Sequence, residues 1–302
     1  MRLRPFPVLA LILAGLALHC GGGGSSQEHS APAVSLRLSY PPGPTVAYVG
    51  QPMTVLTPAV QGTATAWSVA PALPPGLNLD PSQGFVSGTP TAPAAQASYV
   101  VTARNGTVSA SASFTLKVVA LVPGSARLSC GVVQQEHSQW CWAASSASLL
   151  AFVGTPVSQC EIVNQARSIT SACGNGTFAW NDPVANAPIE ALYGPAPSVQ
   201  AIVAHYGHPA QGRNAALTFE EVQGEVNARR PFFVNWAWKS GGGHILLGTG
   251  WDTTTGAPEM VLMDPWPNEG LKTVSYAWVL DGSDSAGGSD PHVWRWTLTL
   301  VP

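Results

Sequence analysis

Gln135-Glu136-His137-Ser138-Gln139-Trp140-Cys141-Trp142-Ala143-Ala144-Ser145-Ser146 is the stretch on which the reading of this chain turns. From Trp140 to Phe152 the sequence is rich in Ala, Ser and Leu and lacks Gly and Pro, so a helix is predicted that stops at Gly154. Cys141 then stands in its first turn, where unpaired N–H groups and the positive end of the helix dipole favour a thiolate. A thiolate nucleophile needs a base, an orienter for that base, and donors for the oxyanion its attack creates. Gly243-His244-Ile245-Leu246-Leu247 and Met263-Asp264-Pro265-Trp266 supply the first two in chain order. Gln135, six residues before the cysteine, offers a side-chain amide for the third.

Each of these residues also has a plainer reading. A lone Cys is commonly a buried inert thiol, a histidine after three glycines can simply open a strand, and Asp before Pro can start a turn. Asp252, following Trp251, competes with Asp264 as orienter, and Gln134 competes with Gln135 at a spacing of seven. Asp264 is favoured because it closes a strand that follows the histidine strand, with Trp266 two residues on. His205-Tyr206-Gly207-His208 has a spacing that suits a metal, but no acidic or thiol partner lies nearby in sequence, so a solvated helix end is expected and no metal or cofactor is assigned. The Trp residues at 236, 238, 251, 278, 294 and 296 fall mostly two apart on strands, as core and cleft wall do.

Around these residues further elements are predicted. Helices are expected at 158–167 and 218–229, the second opened by the capping box Thr218-Phe219-Glu220-Glu221. Strands are expected at 232–238, 244–251, 259–263 and 293–301. Helices first and strands later argue for an α+β domain over 120–302.

The Trp-Cys-Trp-Ala-Ala core with its upstream glutamine resembles the papain-like cysteine peptidases. It is similar to the bacterial branch that includes double-glycine-leader peptidases and plant-pathogen avirulence effector proteases. The resemblance implies Cys141 as nucleophile, His244 as base, Asp264 as the third member of a triad, and Gln135 in the oxyanion hole. It also implies that Trp142 and Trp266 line or shield a cleft between a helical half and a sheet half.

The middle of the chain reads differently. From 34 to 119, short β-rich runs separated by Pro and Gly suggest an antiparallel sandwich, and residues 99–104, Asn105-Gly106 and 107–119 read as a hairpin. Leu73-Pro74-Pro75-Gly76-Leu77-Asn78-Leu79-Asp80 followed by Gly84-Phe85-Val86-Ser87-Gly88-Thr89-Pro90 resembles the Ig-like domain of bacterial surface proteins, which implies a spacer or adhesion module. The fold class is therefore multidomain: an all-β Ig-like sandwich, then an α+β papain-like peptidase domain. Asn105-Gly106-Thr107 and Asn175-Gly176-Thr177 fit a glycosylation pattern, but turn formation accounts for them.

Residues 1–19 read as an export signal. Arg2 and Arg4 precede an apolar run from Val8 to Leu18, too short to span a bilayer. The run ends at Ala17-Leu18-His19-Cys20, which resembles a bacterial lipoprotein signal and implies lipidation of Cys20, with residues 20–33 as a Gly/Ser linker. A cell-envelope or outer-membrane lipoprotein, or otherwise a secreted protein, is expected.

Three cysteines remain: Cys130, Cys160 and Cys173. A Cys160–Cys173 bridge across the short stretch between them is the first choice, with Cys130 paired to either as the alternative. Only 10% of the 302 residues are charged and the net charge is −3, so nothing offers a basic stripe for nucleic acid. The expected partner is a peptide or protein substrate, with the membrane reached only through the lipid anchor. A transglutaminase-type acyltransferase would use the same residue order, and a surface adhesion protein could keep the scaffold without catalysis.

Overall fold

The computed structural model describes residues 35–173, 183–282 and 292–302. The export segment 1–19, the Cys20 lipidation position, the 20–33 linker and Asn175-Gly176-Thr177 lie outside the described residues. Residues Leu36–Pro302 form one compact unit.

Its first part is the Ig-like β domain. The strands are β1 (Arg37–Ser39), β2 (Pro44–Tyr48), β3 (Ala59–Gln61), β4 (Ala66–Ala70), β5 (Leu77–Leu79), β6 (Val86–Gly88), β7 (Ala94–Asn105) and β8 (Val108–Val119). A four-stranded sheet runs β2-β8-β7-β4, and β1-β3 and β5-β6 form two small antiparallel pairs. The β7–β8 hairpin turns at Gly106, whose φ is +58°. Along these two strands every second residue points inward, which places Tyr99, Val101, Phe114, Leu116 and Val118 in the core with Leu77 and Val86 from the facing pair. The glycines of the two sequence motifs lock that pair. Gly88 sits at φ +130°, and a Cβ there would lie 2.2 Å from the Gly76 carbonyl oxygen.

The second part is α+β. It comprises β9 (Ser125–Arg127), α1 (Cys141–Phe152), α2 (Gln159–Arg167), α3 (Val199–His205), β10 (Ala210–Arg213), α4 (Phe219–Asn227), β11 (Phe232–Trp238), β12 (Gly243–Asp252), β13 (Glu259–Asp264), β14 (Gly270–Ser275), α5 (Tyr276–Asp281) and β15 (His292–Leu300). One antiparallel sheet runs β10-β15-β11-β12-β13-β14, and β9 pairs with the far end of β12. Period-two alternation gives the sheet two apolar faces. Phe233, Ile245, Leu247, Met263 and Leu298 pack against α1, α2 and α3. Phe232, Val234, Trp236, Leu246 and Leu262 pack on the opposite side with residues of α4 and α5.

That second face also receives the Ig-like domain. Tyr48 is buried there, its ring edge-on to Phe219 at 6.0 Å, and Lys117 bridges to Glu220 at 2.7 Å. The Cys160–Cys173 disulfide is formed, joining α2 to the loop that follows it, and Cys130 is a buried free thiol.

Candidate active site

Cys141 opens α1, and the half-buried thiol has no acidic residue in its turn to disfavour a thiolate. The preceding loop is fastened at several points. The Trp140 indole donates to the Ala185 carbonyl at 2.8 Å, and the Gln139 N–H donates to Asn186 Oδ1 at 3.1 Å. The Gln135 N–H donates to the Pro265 carbonyl at 2.8 Å, tying this loop to the residue after Asp264. As a first-turn group, the Cys141 N–H has no acceptor within its own helix.

The amide of Gln135 is engaged within its own loop. Its Nε2 donates to the carbonyls of His137 and Ser138, both at 2.9 Å, so both amide hydrogens are engaged within the loop. This departs from the oxyanion-hole geometry that the sequence suggests: the glutamine that should face the substrate staples the turn that leads to Cys141.

His244 stands at the start of β12 on the sheet end that meets α1. Gly243 before it runs so close to β11 that a Cβ would lie 2.5 Å from the Trp236 carbonyl oxygen, so only glycine allows this approach. His244 Nε2 lies 2.6 Å from Asp264 Oδ1, and the Cys141 side chain is near enough to act electrostatically on the imidazole. Since Nε2 is held by Asp264, Nδ1 is the nitrogen left for Cys141. Burial disfavours the charged imidazole, but the hydrogen bonds and charges of Asp264 and Cys141 outweigh it and raise the pKa to about 9. Asp264 shows the opposite balance. Burial raises its pKa, but His244 and Lys272 lower it further, to about 2.

Asp264 is held from three sides. Oδ1 takes His244 and the Trp266 N–H at 3.0 Å, and Oδ2 takes Lys272 Nζ at 2.7 Å. Lys272 also reaches Glu269 at 3.0 Å and lies over the rings of Trp236 and Trp278, 5.8 and 5.5 Å from their centroids. Asp252 is far from this arrangement and caps its own turn through Thr254.

Two cavities meet at Trp236 and Gly243. One, about 260 Å³, contains Cys141 and is walled by Pro188, Ile189 and Glu190 on the helical side and by Ala237, Gly243, Arg295 and Trp296 on the sheet side. The other, about 430 Å³, opens beside His244 and Asp264 and is lined by four indoles, those of Trp236, Trp238, Trp266 and Trp278.

The model of the Peptidase C39 like family matches residues 128–282. The chain belongs to this family. The model described as "Putative Ig domain" matches residues 35–119. No curated protein matches the chain. Among solved structures, the peptidase domain of Streptococcus ComA, a bi-functional ABC transporter involved in a quorum sensing pathway, is 15% identical. That alignment covers 57% of this chain and 98% of that one, with a TM-score of 0.37. The PKD domain of human KIAA0319 is 12% identical over 34% of this chain and 96% of that one, at a TM-score of 0.22. A SusE-like surface located polysaccharide binding protein of Bacteroides thetaiotaomicron is 22% identical, at a TM-score of 0.24, over 31% of this chain and 16% of that one.

In this C39-like domain Trp142 is buried in the core and lines the floor of the Cys141 cleft. Trp266 is half exposed, with its indole edge-on to His244 at 6.0 Å. His205 and His208 lie apart from the site, His208 bonded to Thr155 Oγ1 at 2.9 Å. Lys272 escaped sequence reasoning because it sits on β14, a short half-exposed strand not predicted. Arg295 escaped because its place depends on a β-bulge. Asn235 pairs with Trp296 and Trp236 with Trp294, so Arg295 is the extra residue, and the shift turns Trp296 to the cleft face while Trp294 stays on the other.

Proposed function

We propose that the chain is an exported cysteine peptidase, anchored by lipid at Cys20, that hydrolyses peptide bonds through an acyl-enzyme on Cys141. The observation that carries the reading is Cys141 at the start of α1 beside the buried His244–Asp264 hydrogen bond, a pairing that raises the imidazole pKa to about 9. The Cys141 thiolate attacks the peptide carbonyl, forming the S–C bond. The oxyanion is received by the Cys141 N–H, and by Gln135 once its amide releases a loop carbonyl. His244 passes its proton to the amine as the C–N bond breaks, then takes a proton from water as water cleaves the thioester. Asp264 keeps the imidazole oriented and its charged form stable.

A thiol-directed epoxide tests the nucleophile. At neutral pH under reducing conditions Cys141 is expected to be alkylated, and His244→Ala to slow the labelling strongly. Cys130 is the internal control, because burial pushes its thiol up to about 12 and keeps it inert. An unlabelled Cys141 would remove the enzyme reading. For the anchor, the mature N-terminal peptide is expected to carry diacylated Cys20, and Cys20→Ser to move the protein from the membrane fraction to the soluble one.

A further inference from the structure

The cavity on the Asp264 side of His244 has no part in the acyl-transfer steps described above. Its position, walls and charge nevertheless suit one job. During attack the substrate carbonyl lies at Cys141, and the departing nitrogen must reach His244 to collect its proton. The acyl side of the substrate then occupies the cleft that contains Cys141, and the leaving side begins at the imidazole. The next open space past the imidazole is the cavity of about 430 Å³, a size within the range of ligand pockets, which shares Trp236 and Gly243 with the cleft.

We propose that this cavity is the subsite for the residue following the scissile bond and that it selects a large uncharged side chain, aromatic above all; this rests on the peptidase reading. Trp236, Trp238, Trp266 and Trp278 line it beside His244, His292, Lys272, Asp264 and Glu269, and indoles stack well with aromatic side chains. Trp266 stands half exposed at the mouth. Only its backbone N–H serves Asp264, so the indole surface is left to face a ligand.

Charge argues against an ionised occupant. Lys272 is paired with both Asp264 and Glu269 and already lies over the faces of Trp236 and Trp278. A ligand cation would meet Lys272 and the His244 imidazolium without finding an unpaired carboxylate among the described residues. A ligand anion would meet Asp264 and Glu269.

The test uses the full chain acylated on Cys141 by p-nitrophenyl acetate, with amino-acid amides competing against water for the acyl group. Phenylalanine or tryptophan amide is expected to capture it at about tenfold lower concentration than glycine amide, while lysine and glutamate amides do no better than glycine. Trp238→Ala is expected to bring the phenylalanine-to-glycine ratio towards one. A second arm needs no catalysis. In the Cys141→Ser chain, phenylalanine amide is expected to shift indole N–H resonances that Trp238→Ala renders unresponsive. Efficient acylation with equal capture by all amides would overturn the subsite and leave the peptidase standing. Indole shifts produced by an oligosaccharide and not by phenylalanine amide would overturn it too. Absent acylation would overturn the peptidase reading and the subsite with it.

Discussion

A buried histidine ordinarily gives up its charge, and His244 keeps it. Burial works against the imidazolium, but Asp264 and Cys141 hold it, and the pKa rises to about 9. In the proposed mechanism the proton that the leaving amine needs is present below that value and lost as pH rises through it, so kcat/KM is expected to fall above about pH 9. A limb near the ordinary histidine value would show that the ion pair does not form. Lys272 is a positioning residue for the same group. Lys272→Met removes a cation near the imidazolium and leaves Asp264 Oδ2 without its partner. The alkaline limb is expected to move upward and kcat/KM to fall about tenfold, with Lys272→Arg restoring most of both. A purely structural lysine would leave the limb in place.

Gln135→Ala belongs at this scale too. Because its amide staples the His137 and Ser138 carbonyls, the substitution is expected to lower the melting temperature as well as the rate. A rate loss near 1000-fold with unchanged melting would restore the pure oxyanion role. The positions of Cys141 and His244 could be read because each carries a signal of its own, a helix start and a glycine approach. Lys272 was not, since a lysine on a short strand reads as solvated until the fold shows what lies beside it.

Among the elements, α1 explains how the thiol is placed so firmly. It is small or apolar on every side, so it is buried all round and not along one stripe. Its three serines are each bonded: Ser145 to the Ile245 carbonyl at 3.0 Å, Ser146 to the Trp142 carbonyl and Ser148 to the Gly131 carbonyl, both at 2.7 Å. The Ser145 bond fastens the Cys141 helix to the His244 strand. Ser145→Ala is expected to cost about 1–3 kcal/mol in urea unfolding and to lower kcat, whereas Ser146→Ala, whose bond stays inside the helix, should lower stability alone. Equal kcat in the two variants would show that the bond does not set the catalytic geometry. Helices with capping boxes and strands of continuous apolar residues could be read in advance, as α2, α4, β11 and β12 show. The short α5, β10 and β14 could not, because they owe their form to packing, and of α3 only the end at His205 was readable. The bulge at Arg295 is a property of pairing and has no local signal.

At the scale of the whole molecule, composition suggested two modules joined in series, with the Ig-like part as a spacer. The packing says more. Tyr48 is buried on the second face of the peptidase sheet, with Val46 and Val119 against the same cluster, and Gln51 donates to the Gly256 carbonyl at 3.1 Å. Tyr48 lies in the continuous apolar run Val46-Ala47-Tyr48-Val49 and Phe219 opens an ordinary capped helix, so neither residue by itself marks the other as its partner. A shared core couples the two parts, so they are expected to unfold together. Full-length protein is expected to melt in a single transition, and Tyr48→Ala, which deletes a buried ring at the junction, should lower its midpoint by roughly 5 °C or more. The same substitution lies far in sequence from Cys141 and His244, so epoxide labelling of Cys141 at low temperature should persist while the melting point drops. Two separate transitions in the unmodified chain, or a Tyr48→Ala protein that melts unchanged, would return the Ig-like domain to the status of an independent spacer.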